Sequence, residues 1–209
     1  MNGVLTAGMF FCISQAKPLE KLSPTRPHPS IFNPYFFISL MGQFTVQLSL
    51  LMYMYNLALK EMPLEERQGS DGEFKPNLVN SVCYLVELGV QLSTFGVNYV
   101  GHPFNSSIRE NRGMYFCLFY GGVFLSLITF DVIPGLSMMF GLVPIPNYIR
   151  TQLVILCLGA FGFNFFLEHT MRAMFPAPRP PAKGYMMHTK LLAQMGIKEE
   201  APSNKTKED

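Results

Sequence analysis

Charge is what this sequence has least of. Asp, Glu, Lys and Arg supply 14% of its 209 residues, against about 25% in an ordinary soluble domain. The shortage is concentrated, because Pro34–Leu59, Asn77–Val100, Met114–Phe130 and Thr151–Leu167 hold a single charged residue among them, Glu87. Uncharged apolar stretches of about 17 residues or more exceed what a soluble core helix needs and suit a bilayer, so a single soluble domain is excluded. Other absences narrow the function. A net charge of +2, with no Lys/Arg run interleaved with aromatics, gives no footing for a nucleic-acid partner. Cys12, Cys83, Cys117 and Cys157 fall in separate apolar stretches without a C-x-x-C spacing and read as small buried hydrophobes, not as a disulfide framework or zinc site. His28, His102, His169 and His188 are equally scattered, so no metal site is assigned. There is no Gly-rich phosphate loop, no G-x-S-x-G, no H-E-x-x-H and no soluble stretch able to house an ATP site. No catalytic or cofactor-binding residue is therefore assigned either.

What is present reads as an all-α, multi-pass transmembrane helix bundle with four full spans and an N-terminal partial helix. A hydrocarbon core about 30 Å thick needs roughly 20 helical residues. The expected spans are 34–59, 77–100, 114–133 and 151–171. Pro34 suits a first helical turn, and the breaks are Lys60-Glu61-Met62-Pro63, Gly101-His102-Pro103, Pro134-Gly135 and the Pro-rich stretch from Pro176. Residues 1–16 are uncharged but short for a span, and are expected to be part of a transmembrane helix; an interfacial segment is the alternative. The remaining segments are a loop at 17–33, an acidic loop at 60–76, loops at 101–113 and 134–150, and a tail at 172–209. The tail is rich in Pro, Lys and Glu and is expected to be disordered, with a short amphipathic helix around Tyr185–Ile197 as an option.

Lys and Arg in the loops set the expected sidedness. Arg109 and Arg112 lie between the second and third spans and only Arg150 between the third and fourth, while the tail carries Arg172, Arg179, Lys183, Lys190, Lys198, Lys205 and Lys207. Loops 17–33 and 101–113 and the tail are thus expected in the cytosol, with the acidic loop and 134–150 on the other side. Asn105-Ser106-Ser107 and Asn204-Lys205-Thr206 fit the glycosylation sequon, but this sidedness leaves both unmodified.

Polar groups inside a bilayer are costly unless partnered, which makes their positions informative. Asn80, Glu87, Gln91, Thr94 and Asn98 fall within roughly 60° of one another on a helix and form one stripe along the second span. Ser39, Gln43 and Gln47 repeat every four residues in the first span, and Asn164 and Glu168 do so in the fourth. Two readings apply. The stripe lines an ion or substrate path, or its amides and hydroxyls bond neighbouring helices together. The second is preferred for Gln43, Gln47, Gln91, Thr94 and Asn98; for Glu87 both stay open, because a carboxyl at that depth is protonated, paired or functional. Gly121-Gly122 and Gly159 with Gly162 are expected to mark close helix packing.

A resemblance then emerges. The run Phe11-Cys12-Ile13-Ser14-Gln15-Ala16-Lys17-Pro18-Leu19-Glu20-Lys21-Leu22-Ser23, followed by Arg26-Pro27 and Ile31-Phe32-Asn33, resembles the junction after the sixth transmembrane helix of type V P-type ATPases, subgroup A. Gly42-Gln43-Phe44 continues it, and the longest match runs from Asn77-Leu78-Val79-Asn80 through Gln91-Leu92-Ser93-Thr94-Phe95, Asn98-Tyr99, Gly101 and Pro103-Phe104 to Ser107-Ile108-Arg109-Glu110-Asn111. The last two spans match mainly in hydropathy. The resemblance implies the end of helix six plus helices seven to ten, as a fragment. The D-K-T-G-T phosphorylation setting, the G-D-G-x-N-D hinge and the nucleotide and actuator domains are not in this sequence, which leaves enzyme status undecided. Family members are endoplasmic-reticulum membrane proteins, historically regarded as cation transporters, that couple ATP hydrolysis to extraction of transmembrane segments. The implied partners are the bilayer, the remaining ATPase helices and transmembrane-segment substrates. ATP and magnesium belong to a full-length member, and no cofactor is expected in this chain. The four spans would act as a supporting bundle, the Glu87 stripe facing helix five or helix ten. The alternatives are a self-contained four-span adaptor or structural protein, and a small ion transporter using Glu87 with Glu168.

Overall fold

Three of the long helices begin at an asparagine. In the computed structural model, Asn33, Asn77 and Asn111 precede helices α2 (Pro34–Glu61), α3 (Leu78–Asn98) and α4 (Arg112–Thr129). Their side-chain oxygens accept the backbone N–H of Phe36 at 2.7 Å, Asn80 at 2.8 Å and Met114 at 3.2 Å. Each cap satisfies one of the N–H groups that a first helical turn leaves without a partner. A helix α1 (Asn2–Ser14) comes before them, and the one-turn α5 (Leu136–Met139) and long α6 (Asn147–Met174) follow. The structure describes residues 2–17, 23, 25, 28, 30, 32–63, 75–133, 135–178 and 194, and no strand occurs among them. Most of the acidic loop, much of loop 17–33 and the tail beyond 178, including Asn204 and all of Tyr185–Ile197 except Gln194, lie outside the described residues.

At 1.5 Å per residue, α2 and α6 are about 42 Å long and α4 about 27 Å. The last stops at Thr129, short of the expected Ile133, because Asp131 turns the backbone into the left-handed region at φ 47°. Asp tolerates that conformation, and Ser137 Oγ donates to its carboxylate at 2.8 Å. The chain then returns as an irregular segment that tucks Leu142 and Ile145 into the core, with the Val143 N–H donating to Ser81 Oγ at 3.0 Å.

Helices α2, α3 and α6 pack on one another as a central group, and α4 and α1 pack together on the outer side of α3. Two apolar clusters follow from this layout. The larger joins Leu50, Met54 and Ala58 of α2 to Val82, Leu85 and Val86 of α3 and Ile149 and Leu153 of α6. The smaller sits between α1, α3 and α4, around Met9, Met114 and Tyr99. Yet only 17% of the most apolar window in α2 and α6, and 39% in α3, is buried inside the protein. The outer faces carry Phe37, Phe44, Phe119, Leu158 and Phe166. Apolar surface on that scale belongs in lipid.

Glycines decide how closely the helices approach. A Cβ on Gly121 would come within 2.6 Å of Leu92 Cδ2 and within 3.6 Å of Leu5, and one on Gly42 within 2.6 Å of Leu167 Cδ2. Gly122, Gly159 and Gly162 would meet nothing within 4 Å, so of the glycines expected to mark close packing only Gly121 does. Their partners tell the reason: Gly121 turns inward to α3 and α1, whereas its neighbour lies 100° further round the helix. Gly121→Leu should overpack this contact and lower stability by about 2 kcal/mol, whereas Gly122→Leu should stay within about 0.5 kcal/mol of the parent. Unfolding in detergent micelles followed by circular dichroism checks the pair.

The turn from α3 to α4 is held by Glu110, whose carboxylate accepts the Ser107 N–H at 2.7 Å and pairs with His102 Nε2 at 2.9 Å. The Ser107 backbone bond first, and then His102, hold the Glu110 carboxyl below the ordinary carboxylate range. A carboxyl whose pKa is lowered by folding contributes stability above its unfolded value and loses it as pH falls through the folded one. Hydrogen-exchange protection of the Ser107 amide should therefore be flat at neutral pH and fall below about pH 4. Glu110→Gln should abolish that dependence.

Candidate functional site: the polar network inside the bundle

Glu168 sits near the C-terminal end of α6 and is 6% exposed. It accepts the Tyr35 hydroxyl at 2.5 Å and the Ser39 hydroxyl from the start of α2, and Arg172 Nε at 2.7 Å from its own helix. The Glu168–Arg172 pair has the i,i+4 spacing that places two side chains on one helix face. Arg172 reaches outward and keeps part of its guanidinium solvated, while the carboxylate lies inside. With Gln43 Nε2 as a longer fourth donor at 3.5 Å, the carboxylate meets the condition under which a buried charge is tolerated. On the outer side the Tyr35 ring stacks on His28 at 5.4 Å, and His28 Nε2 lies 3.2 Å from the Phe175 carbonyl oxygen.

The network continues inward along α2. Gln43 Nε2 donates to Ser39 Oγ and to Asn98 Oδ1, each at 3.0 Å, and Asn98 Nδ2 donates back to Gln43 Oε1 at 2.9 Å. One turn deeper Gln47 Nε2 donates to Thr94 Oγ1 at 3.0 Å, and Thr94 Oγ1 in turn donates to the Val90 carbonyl at 2.8 Å. The spacing of four along α2 and of four along the antiparallel α3 makes the two sets of side chains meet in successive turns. Gln91 leaves this seam: its Nε2 donates to Thr6 Oγ1 and, at 3.2 Å, to the Asn2 carbonyl of α1. Asn164, one turn from Glu168, is fully buried, with neither amide atom hydrogen-bonded.

The five residues of the α3 stripe thus go to different places. Asn98 and Thr94 meet α2, Gln91 meets α1, and Asn80 is exposed at the start of the helix. Glu87 is exposed in a groove of about 300 Å³ lined with it by Leu51, Met52, Tyr55 and Cys83. The groove is built from α2 and α3, so Glu87 does not face α6, the helix that takes the place of helix ten. The centre of the network lies outside the α3 stripe, at Glu168. Arg172 falls in the expected tail and Tyr35 in an apolar run, although the four-residue spacing of Glu168 and Arg172 is readable in the sequence. Chemically, the cluster is a set of ties between helices. No group of three or more His, Cys, Asp or Glu able to hold a metal ion occurs among the described residues.

An all-α bundle with four apolar helices of membrane-spanning length, joined by polar seams in its interior, is a multi-pass membrane protein. No protein-family model matches the chain. Over 176 residues, 84% of its length, it is 46% identical to a probable manganese-transporting ATPase of Arabidopsis thaliana, of which it covers 15%. Over 181 residues, 86% of its length, it is 38% and 35% identical to endoplasmic reticulum transmembrane helix translocases of Aspergillus fumigatus and Saccharomyces cerevisiae, of which it covers 14% and 15%. The chain belongs to the type V P-type ATPases and corresponds to the C-terminal part of their sequences. It spans about one-seventh of the length of these relatives.

Removing the Glu168 carboxylate by Glu168→Leu should leave Arg172, Tyr35 and Ser39 without their common acceptor and lower stability by about 2 kcal/mol, less than for a fully buried pair because Arg172 is partly solvated. Glu168→Gln should fall in between. A double-mutant cycle on Gln43→Leu and Asn98→Leu should return a coupling of about 1 kcal/mol, measured by unfolding in mixed micelles.

Proposed function

We propose that this chain supplies the C-terminal membrane helices of an endoplasmic reticulum transmembrane helix translocase, as a supporting bundle for catalytic parts that lie elsewhere in such an ATPase. The observation that carries this is the 46%, 38% and 35% identity maintained over 84–86% of the chain. The polar seams favour a bundle of fixed geometry over a moving path, since Gln43 and Asn98 already occupy each other and Glu168 is already occupied by its four donors. Under this reading ATP and magnesium bind outside these residues, the substrates are transmembrane segments, and the stripe residues Gln43, Gln47, Gln91, Thr94 and Asn98 fix packing. An ion path through Glu168 is disfavoured by the guanidinium that already neutralises it.

The sidedness belongs to the same proposal. The ends that meet at Glu168, the loop with Arg109 and Arg112, and the C-terminus face the cytosol, following the distribution of Lys and Arg.

Grafting this chain in place of the matching region of the Saccharomyces cerevisiae relative tests the function. The graft should retain ATP-dependent translocase activity, and Glu168→Leu within it should lower activity several-fold. A graft that reaches the membrane in normal amounts yet is inactive would overturn the proposal. In microsomes, Asn105 should stay unglycosylated while an acceptor site engineered between Leu142 and Pro146 is modified; the reverse pattern rules out the sidedness.

A further inference from the structure

The four cysteines are all free thiols, and folding does not leave them equivalent. Cys83 lines the groove between α2 and α3, and Cys157 packs against Gly89 of α3. Cys12 of α1 and Cys117 of α4, 105 residues apart in the chain, instead meet sulfur to sulfur at 3.7 Å. Both are half-buried and pack beside Met9 and Met114. Each cysteine follows a glycine by one helical turn, Gly8 before Cys12 and Gly113 before Cys117. The helices cross antiparallel, so that each glycine faces the other helix's thiol: a Cβ on Gly8 would lie 4.0 Å from Cys117 Sγ, and one on Gly113 only 3.0 Å from Cys12 Sγ. The two missing side chains are what let the backbones approach and the sulfurs meet. Cys12 lies two residues before the end of α1 at Ser14. That end is held to the start of α4, since Asn111 Nδ2 donates to the Cys12 carbonyl at 2.8 Å and the Ser106 N–H to the Lys17 carbonyl at 3.0 Å. The loop that makes these bonds exposes His102, Arg109 and Glu110, so the thiol pair sits near the bilayer boundary, where a water-soluble reagent reaches it.

We propose that Cys12 and Cys117 form a redox-active dithiol, which a peroxide converts into a disulfide between α1 and α4. The peroxide oxidises one thiol to a sulfenic acid and releases a water. The second sulfur then attacks that sulfenic sulfur; the S–O bond breaks, the S–S bond forms, and the hydroxyl leaves as water with the second thiol's proton. In sum the two thiols give up two electrons and two protons, and the peroxide becomes two waters. A disulfide bond is about 2.0 Å long, so the two sulfurs together close about 1.7 Å, with no side chain on Gly8 or Gly113 in their way. A free thiol of the glutathione class reverses the bond by exchange. The inference goes beyond the supporting role proposed above: it rests on the contact between α1 and α4 alone and stands if that role is disproved.

The test treats the 209-residue chain in phosphatidylcholine vesicles with hydrogen peroxide and then blocks the remaining thiols with a maleimide. Proteolytic peptides are read by mass spectrometry before and after dithiothreitol. Two of the four thiols should escape the maleimide, with the Cys12 and Cys117 peptides joined in one species that dithiothreitol separates. Cys83→Ser and Cys157→Ser should leave the cross-link in place, whereas Cys12→Ser should abolish it. Gly113→Leu keeps both cysteines but crowds Cys12, and should slow closure about tenfold. Oxidation of either cysteine to a sulfinic acid with no joined peptide overturns the proposal. So does a bond to Cys83 or Cys157, a bond between two copies of the chain, or closure in Gly113→Leu at the parent rate.

Discussion

The constraint that organises this structure is that a polar group within the bilayer must find its partner inside the protein. Glu168 is where the constraint is most severe, since it places a carboxylate in the interior of the bundle. The chain meets it with two hydroxyls from the first turns of α2 and a guanidinium from the next turn of α6. Both helices are therefore fixed at one end by a single group. The two helices, the longest among the described residues, meet again at the other end, where Leu50, Met54 and Ala58 pack with Ile149 and Leu153. Gly42, packed against Leu167 one residue before Glu168, lets the two backbones come close enough for the bonds to form.

From that point the remaining contacts are arranged by depth. The Gln43–Asn98 amide pair and the Gln47–Thr94 bond carry the tie from α2 to α3 over two further turns. Below them the seam becomes apolar, through Leu50, Met54 and Ala58 against Val82, Leu85 and Val86. In a membrane, apolar contact alone gives helices little preference for one another over lipid, so register is set by the polar turns and density by the apolar ones. At the far end the returning segment with Leu142 and Ile145 closes the cluster. A bundle tied in this way has few low-energy alternatives, which suits a scaffold more than a gate.

Much of this was legible in the residues, because the signals are local. Uncharged runs ended by Pro, Gly and charge mark helices of spanning length. The fourfold repeat of Ser39, Gln43 and Gln47 places those side chains on one face of α2 whatever packs against it. What the residues could not show is which helix each polar group meets. The α3 stripe spans roughly 60°, an arc wide enough to touch two neighbours, and the fold divides it between α1 and α2. Arg172 reads as tail because charge near a span boundary looks like tail; only the positions of Tyr35 and Ser39 show that it joins the Glu168 network. The empty surroundings of Gly122, Gly159 and Gly162 were equally invisible, since a small residue on the lipid face and one at a helix crossing look alike in one dimension.

Two carboxyls at different depths of the bundle have opposite fates, and the difference follows from the geometry of the three-helix group. Glu168 lies where α6 and α2 converge, so donors from both elements reach it within one turn. Glu87 lies on the α2 side of α3 at a level where the facing α2 residues are Leu51, Met52 and Tyr55, an apolar stretch between the amide seam and the helix end. The ladder that satisfies Gln43 and Gln47 has run out by that depth. Burying Glu87 within the chain would require α2 to present an amide one or two turns later than it does, and Leu51 occupies the position that continues the spacing of four from Gln47. The sequence thus keeps its polar repeat on α2 shorter than the one on α3, and the mismatch leaves a carboxyl directed at the outer surface of the bundle.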